Sequence, residues 1–333
     1  MKLLKKHSLK NLNTFGIDVS AANFGIIETE SQITEIFEEM EGQDLLVLGG
    51  GSNILLTADF PGLVLKMNIQ GINILDQYGD NAWIQIGGGV EWEKVIDFAI
   101  ENQLSGIENL TLIPGLAGTA PIQNIGAYGV ELADVCESVE VFDTYKGMFF
   151  EIKKKDCHFG YRNSFFKQQA RNRFIITSVI LKLSTRFNPV LTYKALQDSI
   201  LMEDELTLEK MRETVATLRK GKLPSISEVG SAGSFFKNPE ISVKKFESLQ
   251  ALYPNMPAWP NADNFKIPAG WLIEQCGWKG YREGDAGVWP YQALVLVNYG
   301  NASGMDIWAL AKKIQQSVDD AFGIRLESEV NII

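Results

Sequence analysis

Histidine is nearly absent from this 333-residue chain: only His7 and His158 occur. Histidine is the usual side chain for metal ligation and for proton transfer near neutral pH. Metal chemistry is therefore not expected, and any acid–base step must rest on other residue types. Cysteine is scarce as well. Cys136, Cys157 and Cys276 are odd in number and widely spaced, with no C-x-x-C pair, which fits reduced thiols in cytoplasm. Basic charge is in deficit, with 31 Lys and Arg against 41 Asp and Glu and a formal net charge of −10. Nucleic acids and anionic membranes both require a basic surface, so neither is an expected partner. Short basic clusters such as Lys153–Lys155 sit beside Glu151 and Asp156 and read as a solvated face. No apolar run approaches the ~20 residues needed to span a bilayer. The N-terminus MKLLKKHSLKNLNTF has a basic start but no apolar segment of the signal-peptide kind.

Glycine, by contrast, is present and grouped. The segment 113–131, IPGLAGTAPIQNIGAYGVE, sets Gly115, Gly118, Gly126, Gly129, Pro114 and Pro121 among hydrophobic residues. The glycines break helical periodicity and the prolines remove backbone donors. Leu112, Ile113, Leu116, Ile122, Ile125 and Tyr128 nonetheless demand burial. Buried irregular backbone needs polar partners other than water, and a nucleotide or flavin is a natural one; a Gly-rich turn between strands is the plainer alternative. Two further glycine runs follow apolar strand patterns: Gly49-Gly50-Gly51-Ser52-Asn53, and Gly87-Gly88-Gly89. Glycines let consecutive amides converge on an anion, and Ser and Asn add donors. The first run is not a P-loop, since no Gly-Lys-Ser/Thr follows, and it lacks the βαβ setting of G-x-G-x-x-G. Two such runs together with segment 113–131 favour a large diphosphate-containing cofactor.

The length predicts roughly two domains with ample core. Strands are expected at 44–48, 63–67, 82–86, 139–143, 149–152 and 174–183, with a hairpin turn at Lys146-Gly147. Apolar residues at Trp92, Val95, Ile96, Ala99, Ile100 and Leu104 predict a helix over 91–104. A helix over 206–220 is stopped by Gly221 and Pro224, and 223–230 reads as a boundary. Beyond it, helices are expected at 243–252, 269–276 and 305–322, the last capped by Gly323. A strand is expected at 293–297 and a strand-like end at 324–333. The fold class is α+β with mixed sheets.

LGGGSN at 48–53, ENLTLIPGLAGTAPIQNIGAYGVE at 108–131, FGYRNSFFK at 159–167, GSAGSFFKNP at 230–239 and LESEV at 326–330 occur in one order. Together they resemble, nearly end to end, the UDP-N-acetylenolpyruvoylglucosamine reductase family, flavoenzymes that make UDP-N-acetylmuramate for peptidoglycan. The resemblance implies a two-lobed FAD-binding domain of the vanillyl-alcohol-oxidase (PCMH) type followed by an α+β substrate domain. It places lobe 1 at 1–70, lobe 2 at 71–222 and the substrate domain at 223–322, with 323–333 returning to lobe 1. It implies non-covalent FAD, NADPH as reductant, UDP-N-acetylglucosamine enolpyruvate as substrate, a cytoplasmic location and a monomer. FAD contacts are implied at Gly49, Gly50, Gly51, Ser52, Asn53, Pro114, Gly115, Thr119, Ile122, Gln123, Asn124, Gly126, Ala127 and Tyr128.

In the family's route NADPH reduces FAD and leaves. Flavin N5 then delivers hydride to C3 of the enolpyruvyl group, and a general acid protonates C2. Such chemistry needs cationic or hydrogen-bonding groups where negative charge grows, plus a proton. Ser234 matches the family's proton donor, Arg162 the arginine that stabilises the enolate, and Glu329 the catalytic carboxylate. Read by themselves, these would be a serine bonded within its own turn, a surface ion-pairing arginine and an exposed strand residue. Tyr193, Lys222, Asn238 and Gln292 match the positions that bind UDP, and Tyr193 indicates the longer subclass whose loop folds over the substrate. Two positions depart from the pattern: Asn331 stands where an arginine commonly follows Glu-Val, and Trp289 where a histidine is common. A sugar or lactone oxidase on the same FAD domain is the rival reading, but such oxidases commonly attach FAD through a histidine that GGGSN lacks. A non-catalytic nucleotide-binding protein would need no Ser234, Arg162 and Glu329 together.

Overall fold

A computed structural model describes residues 1–40, 42–200, 206–225 and 228–333. The boundary expected at 223–230 therefore includes two residues, 226 and 227, outside the described set. The chain divides into two compact units. The first comprises Met1–His7, Ala21–Gly50 and Phe60–Gly221; the second comprises Ser8–Ser20, Gly51–Asp59 and Lys222–Ile333. One division thus falls inside the glycine turn 49–53, between Gly50 and Gly51, and the last falls between Gly221 and Lys222.

The first unit holds two sheets. One is four-stranded, in the order Leu4–Ser8, Ser20–Ile27, Phe60–Met67, Leu45–Leu48. Ser20–Ile27 and Leu45–Leu48 both run parallel to the central Phe60–Met67. Parallel strands are buried on both faces and read as continuous apolar runs; Leu63, Val64, Leu65 and Met67 follow this and are buried. The second sheet is antiparallel, two hairpins with the strand Phe174–Ser184 between them, in the order Met148–Lys153, Cys136–Asp143, Phe174–Ser184, Asn81–Gly87, Ile72–Tyr78. Its hairpin turns at Gly147, whose φ of +65° suits glycine. The helix Trp92–Glu101 covers one face through buried Trp92, Val95, Ile96 and Ala99. The sheets join through a core in which Ile33, Ile36, Leu63, Leu65 and Met67 meet Phe142 and Ile175. Phe37 stands edge-on to Phe142, with ring centroids 5.4 Å apart. Cys136 and Cys157 are buried in the core beneath the helix Trp92–Glu101, and burial pushes both thiols up to about 12. They stay protonated and behave as small hydrophobes.

The second unit is built on the 19-residue helix Gly304–Phe322. Ser303 and Asp306 form a capping box at its start, and Gly323 ends it at φ +59°. Its buried stripe, Ile307, Leu310, Ala311, Ile314, Val318 and Phe322, covers a four-stranded sheet in the order Gly230–Ser234, Val295–Asn298, Ala286–Val288, Arg282–Glu283. A small antiparallel sheet, Glu240–Ser242, Asn264–Lys266 and Trp259–Asn261, packs with the helix Val243–Leu252.

The end of the chain is less strand-like than its pattern suggests. Only Asn331–Ile332 forms a strand, parallel to Ile54–Leu55. Before it, Leu326 and Val330 are buried in the core while an isolated bridge joins Ser328 to Phe236. Apolar anchoring and a short bridge, with the Lys237 amide donating to the Glu327 carbonyl at 2.9 Å, hold this segment. No helix among the described residues is long and apolar enough to cross a membrane.

Candidate active site

In the first unit the three glycine segments interlock. A Cβ on Gly49 would lie 2.3 Å from the Thr119 methyl, one on Gly50 would lie 3.0 Å from the Gly115 Cα, and one on Gly118 would lie 2.9 Å from the Gly88 Cα. Backbones approach this closely only where no side chain intervenes. The contact is sewn by backbone bonds: the Gly118 amide donates to the Gly88 carbonyl at 2.9 Å, and the Ala117 amide to Val90 at 2.8 Å. Such a cradle presents peptide groups rather than side chains, as a diphosphate-bearing cofactor requires. Pro114 is exposed along this backbone, and Gly115, Thr119, Ile122, Gln123, Gly126 and Ala127 are partly exposed.

Asn124 differs. It is fully buried at φ +46°, and its Nδ2 donates to Glu131 Oε2 at 2.8 Å and to the Gly160 carbonyl at 3.1 Å. Its Oδ1 accepts from the Ala133 amide at 2.9 Å. These bonds commit the side chain to holding the segment's shape. Glu131 then reaches Arg162, with Oε1 3.8 Å from Nη1. Arg162, itself at φ +50°, donates through Nη2 to the Gly126 carbonyl. A Cβ on Gly126 would meet the guanidinium at 2.7 Å, so that glycine makes room for the arginine. Sequence reasoning passed over Glu131, the residue that couples Asn124 to Arg162.

Tyr128, at φ +49°, lies edge-on to Tyr193 with centroids 5.1 Å apart. Burial raises the Tyr128 phenol above its usual pKa, and the nearby Arg219 opposes the shift. Arg219 closes the helix Leu208–Lys220. Its Nε is buried without a hydrogen-bond partner, and burial pulls its guanidinium below the usual arginine range. Arg212 on the same helix is tied to Glu93 and Asp97 instead. A guanidinium with its Nε unpartnered, near Tyr128 and Arg162, is suited to an anion. The only sequence signal for it was a basic residue in the last helical turn.

In the second unit Ser234 ends the strand Gly230–Ser234, opposite Val295 and just after a register shift. Gly233, at φ +68°, supplies that irregularity. The Ser234 hydroxyl takes no hydrogen-bond partner among the described residues, so the within-turn alternative does not hold. Phe235 and Phe236 behind it are buried. The Glu329 amide donates to the Phe235 carbonyl at 2.8 Å, bringing Glu329 to the residue next to Ser234. Glu327 is exposed and pairs with Lys237 at 3.3 Å. Asn331 occupies a structural post. Its amide and its Nδ2 both donate to the Asn53 carbonyl at 3.0 Å, tying the end of the turn Gly51-Ser52-Asn53 to the chain's last strand.

Asn238 and Gln292 converge on the start of the helix Ala269–Gln275. Asn238 Oδ1 accepts from the Ala269 amide at 2.9 Å, and a Cβ on Gly270 would meet Gln292 Oε1 at 2.8 Å. Trp289 stands three residues before Gln292, its Nε1 buried without a partner. Lys222 is half-buried and makes no ion pair among the described residues.

Comparison with known proteins accords with this geometry. Residues 24–153 match an FAD binding domain, and residues 225–333 match the C-terminal domain of UDP-N-acetylenolpyruvoylglucosamine reductase. The chain is 43% identical to the UDP-N-acetylenolpyruvoylglucosamine reductase of Polynucleobacter asymbioticus, over 100% of this chain and 97% of the other. It is 42% identical to that of Amoebophilus asiaticus, over 100% of both. Among solved structures it is similar to the UDP-N-acetylenolpyruvylglucosamine reductase of Thermus caldophilus, with a TM-score of 0.68 at 27% identity over 99% of this chain and 98% of that one. The chain belongs to the UDP-N-acetylenolpyruvoylglucosamine reductase family.

Proposed function

We propose that this protein reduces UDP-N-acetylglucosamine enolpyruvate to UDP-N-acetylmuramate, a step in peptidoglycan precursor synthesis, using non-covalent FAD and NADPH in the cytoplasm as a single chain. When bound, FAD takes electrons from NADPH and supplies them as a hydride from N5 to C3 of the enolpyruvyl group. The protein's part is to hold the cofactor, accept the charge that grows on the substrate and deliver a proton to C2.

Ser234 donates that proton. Serine is a feeble acid in water, but a carbanion is a strong enough base to take it, and the dry wall of Phe235 and Phe236 fixes the hydroxyl. Arg162 meets the carboxylate and the enolate charge conjugated with it. Its guanidinium is already oriented by the Gly126 carbonyl and Glu131, so little order remains to be imposed at the moment of reaction. Glu329 supplies a second polar group, which a carboxyl can do beside growing negative charge in its protonated form. Tyr193, Lys222, Asn238 and Gln292 take the nucleotide, and Arg219 adds a cation for its anionic groups or for the flavin. The amides of segment 113–131 and of the turn Gly49–Asn53 hold FAD.

The observation that carries this reading is the Glu329–Phe235 backbone bond at 2.8 Å beside a Ser234 hydroxyl with no hydrogen-bond partner among the described residues. Two residues 95 positions apart in sequence are thereby held on adjacent backbone. The test is anaerobic stopped-flow mixing of NADPH-reduced protein with UDP-N-acetylglucosamine enolpyruvate. The flavin absorbance is expected to return as substrate is consumed; a flavin that stays reduced overturns the reading. Denaturation is expected to release the flavin, because Gly49–Asn53 contains no histidine to tether it, and flavin retained on the unfolded chain would favour an oxidase.

A further inference from the structure

Lys66 is out of place. It lies near the end of the central parallel strand Phe60–Met67, among buried Leu63, Val64, Leu65 and Met67, and is paired in register with Leu48 and Ile26. A buried parallel strand normally contains apolar residues throughout. A charge there conflicts with the local pattern, and such conflicts cluster at functional sites. The ammonium is partly desolvated, which lowers its pKa, and Glu91 opposes that only at longer range. No carboxylate among the described residues pairs with it directly. Its one hydrogen bond goes to the carbonyl of Gly49, the first residue of the glycine turn.

That bond has a geometric consequence. No peptide among the described residues is cis, so the Gly50 N–H points opposite to the Gly49 carbonyl across the shared peptide plane. With the carbonyl held on Lys66, the amide is turned away from the strand. The Gly50 amide finds no acceptor in the protein among the described residues. Gly50 itself lies close to the other glycine segment: a Cβ on it would come 3.0 Å from the Gly115 Cα.

We infer that Lys66 is a positioning residue for the cofactor's diphosphate: by clamping the Gly49 carbonyl it aims the Gly50 amide at the anion and sets a positive charge behind that peptide. The inference rests on the reading above that the turn Gly49–Asn53 cradles FAD. Polarising a peptide from its carbonyl side strengthens its N–H as a donor, and a cation just behind the donor adds attraction for two phosphate charges.

The test is titration of apoprotein with FAD and with riboflavin, which lacks the diphosphate, followed by flavin fluorescence. Lys66→Met is expected to weaken FAD about 10- to 100-fold, the range for losing a hydrogen bond to a charged group, and to leave riboflavin affinity unchanged. Lys66→Gln, which keeps a donor without the charge, is expected to fall between, and carries the test if the methionine variant does not fold. Equal weakening of both ligands means that Lys66 only shapes the loop and overturns the inference, as does no weakening of either. If the unaltered protein binds riboflavin as tightly as FAD, the reading that the turn holds a diphosphate fails first.

Discussion

Segment 113–131 in the first unit and the strand Gly230–Ser234 with its neighbour 326–330 in the second solve opposite problems. The first is built to consume its polar groups internally. Asn124 is saturated by Glu131, Gly160 and Ala133, and Arg162 is held by Gly126 and Glu131. Its glycines leave peptide groups as the ligand-facing surface. In the second, backbone bonds fix the two segments side by side while the Ser234 hydroxyl takes no hydrogen-bond partner among the described residues. Holding a large cofactor needs a backbone stiffened by its own side chains, with peptide groups left to face the ligand; transferring a proton needs a side chain that the fold has not used. The residues to alter are therefore different in kind: in one region those that pack, in the other the Ser234 hydroxyl and the carboxyl held beside it.

The largest expected effect is on the unpaired side. Ser234→Ala should slow reoxidation of the reduced flavin by the enolpyruvyl substrate about 10²-fold or more, as for lost general-acid catalysis, while NADPH-driven bleaching proceeds at its original rate. Rapid-mixing measurements of the two half-reactions separate these. Equal slowing of both would erase the contrast, since it would make Ser234 another packing residue.

The packed side should respond in stability instead. Gly118→Ala would put a Cβ 2.9 Å from the Cα and carbonyl oxygen of Gly88, both backbone. Overpacking of this kind costs about 1–3 kcal/mol, so the apoprotein's melting temperature should drop and FAD affinity should fall with it. Asn124→Ala should cost a similar amount, because it leaves buried partners of a three-bond network unsatisfied. Denaturant unfolding of the apoprotein reads this directly. An Asn124→Ala protein that unfolds like its parent would mean that the segment is held by its glycines alone.

This contrast also marks what the sequence discloses. Local signals were reliable where one residue type has one physical use. The helix Val243–Leu252 and the Gly323 cap follow from periodicity and from an αL position, and the glycine runs do end their strands. Elements stabilised only by their neighbours left little trace. Ile72–Tyr78 is an edge strand whose side chains are largely exposed, Lys194–Ile200 is two turns long, and the strand Ser20–Ile27 carries mixed polarity. In the site, residue types were legible and partnerships were not. Nothing local in LESEV says that Glu329 will bond to the residue after Ser234, nor that Asn331 will hold Asn53. Arg219 and Lys66 were missed for a shared reason: a cation's significance lies in what fails to pair with it, which only packing reveals.

The smallest expected effect is the sharpest control on the second region. Glu327 and Glu329 are two residues apart in one segment, with the same charge and the same side chain. Glu327 is exposed, and its ion pair with Lys237 is at the surface, where such pairs contribute little. Glu329 is half-buried and bonded beside Ser234. Glu327→Gln should therefore leave both the melting temperature and substrate-driven reoxidation unchanged. Glu329→Gln removes the carboxyl while keeping shape and hydrogen-bonding capacity, so it should slow reoxidation with little change in melting. If the two substitutions behaved alike, backbone proximity to Ser234 would have no chemical meaning, and the second region would be as purely structural as the first.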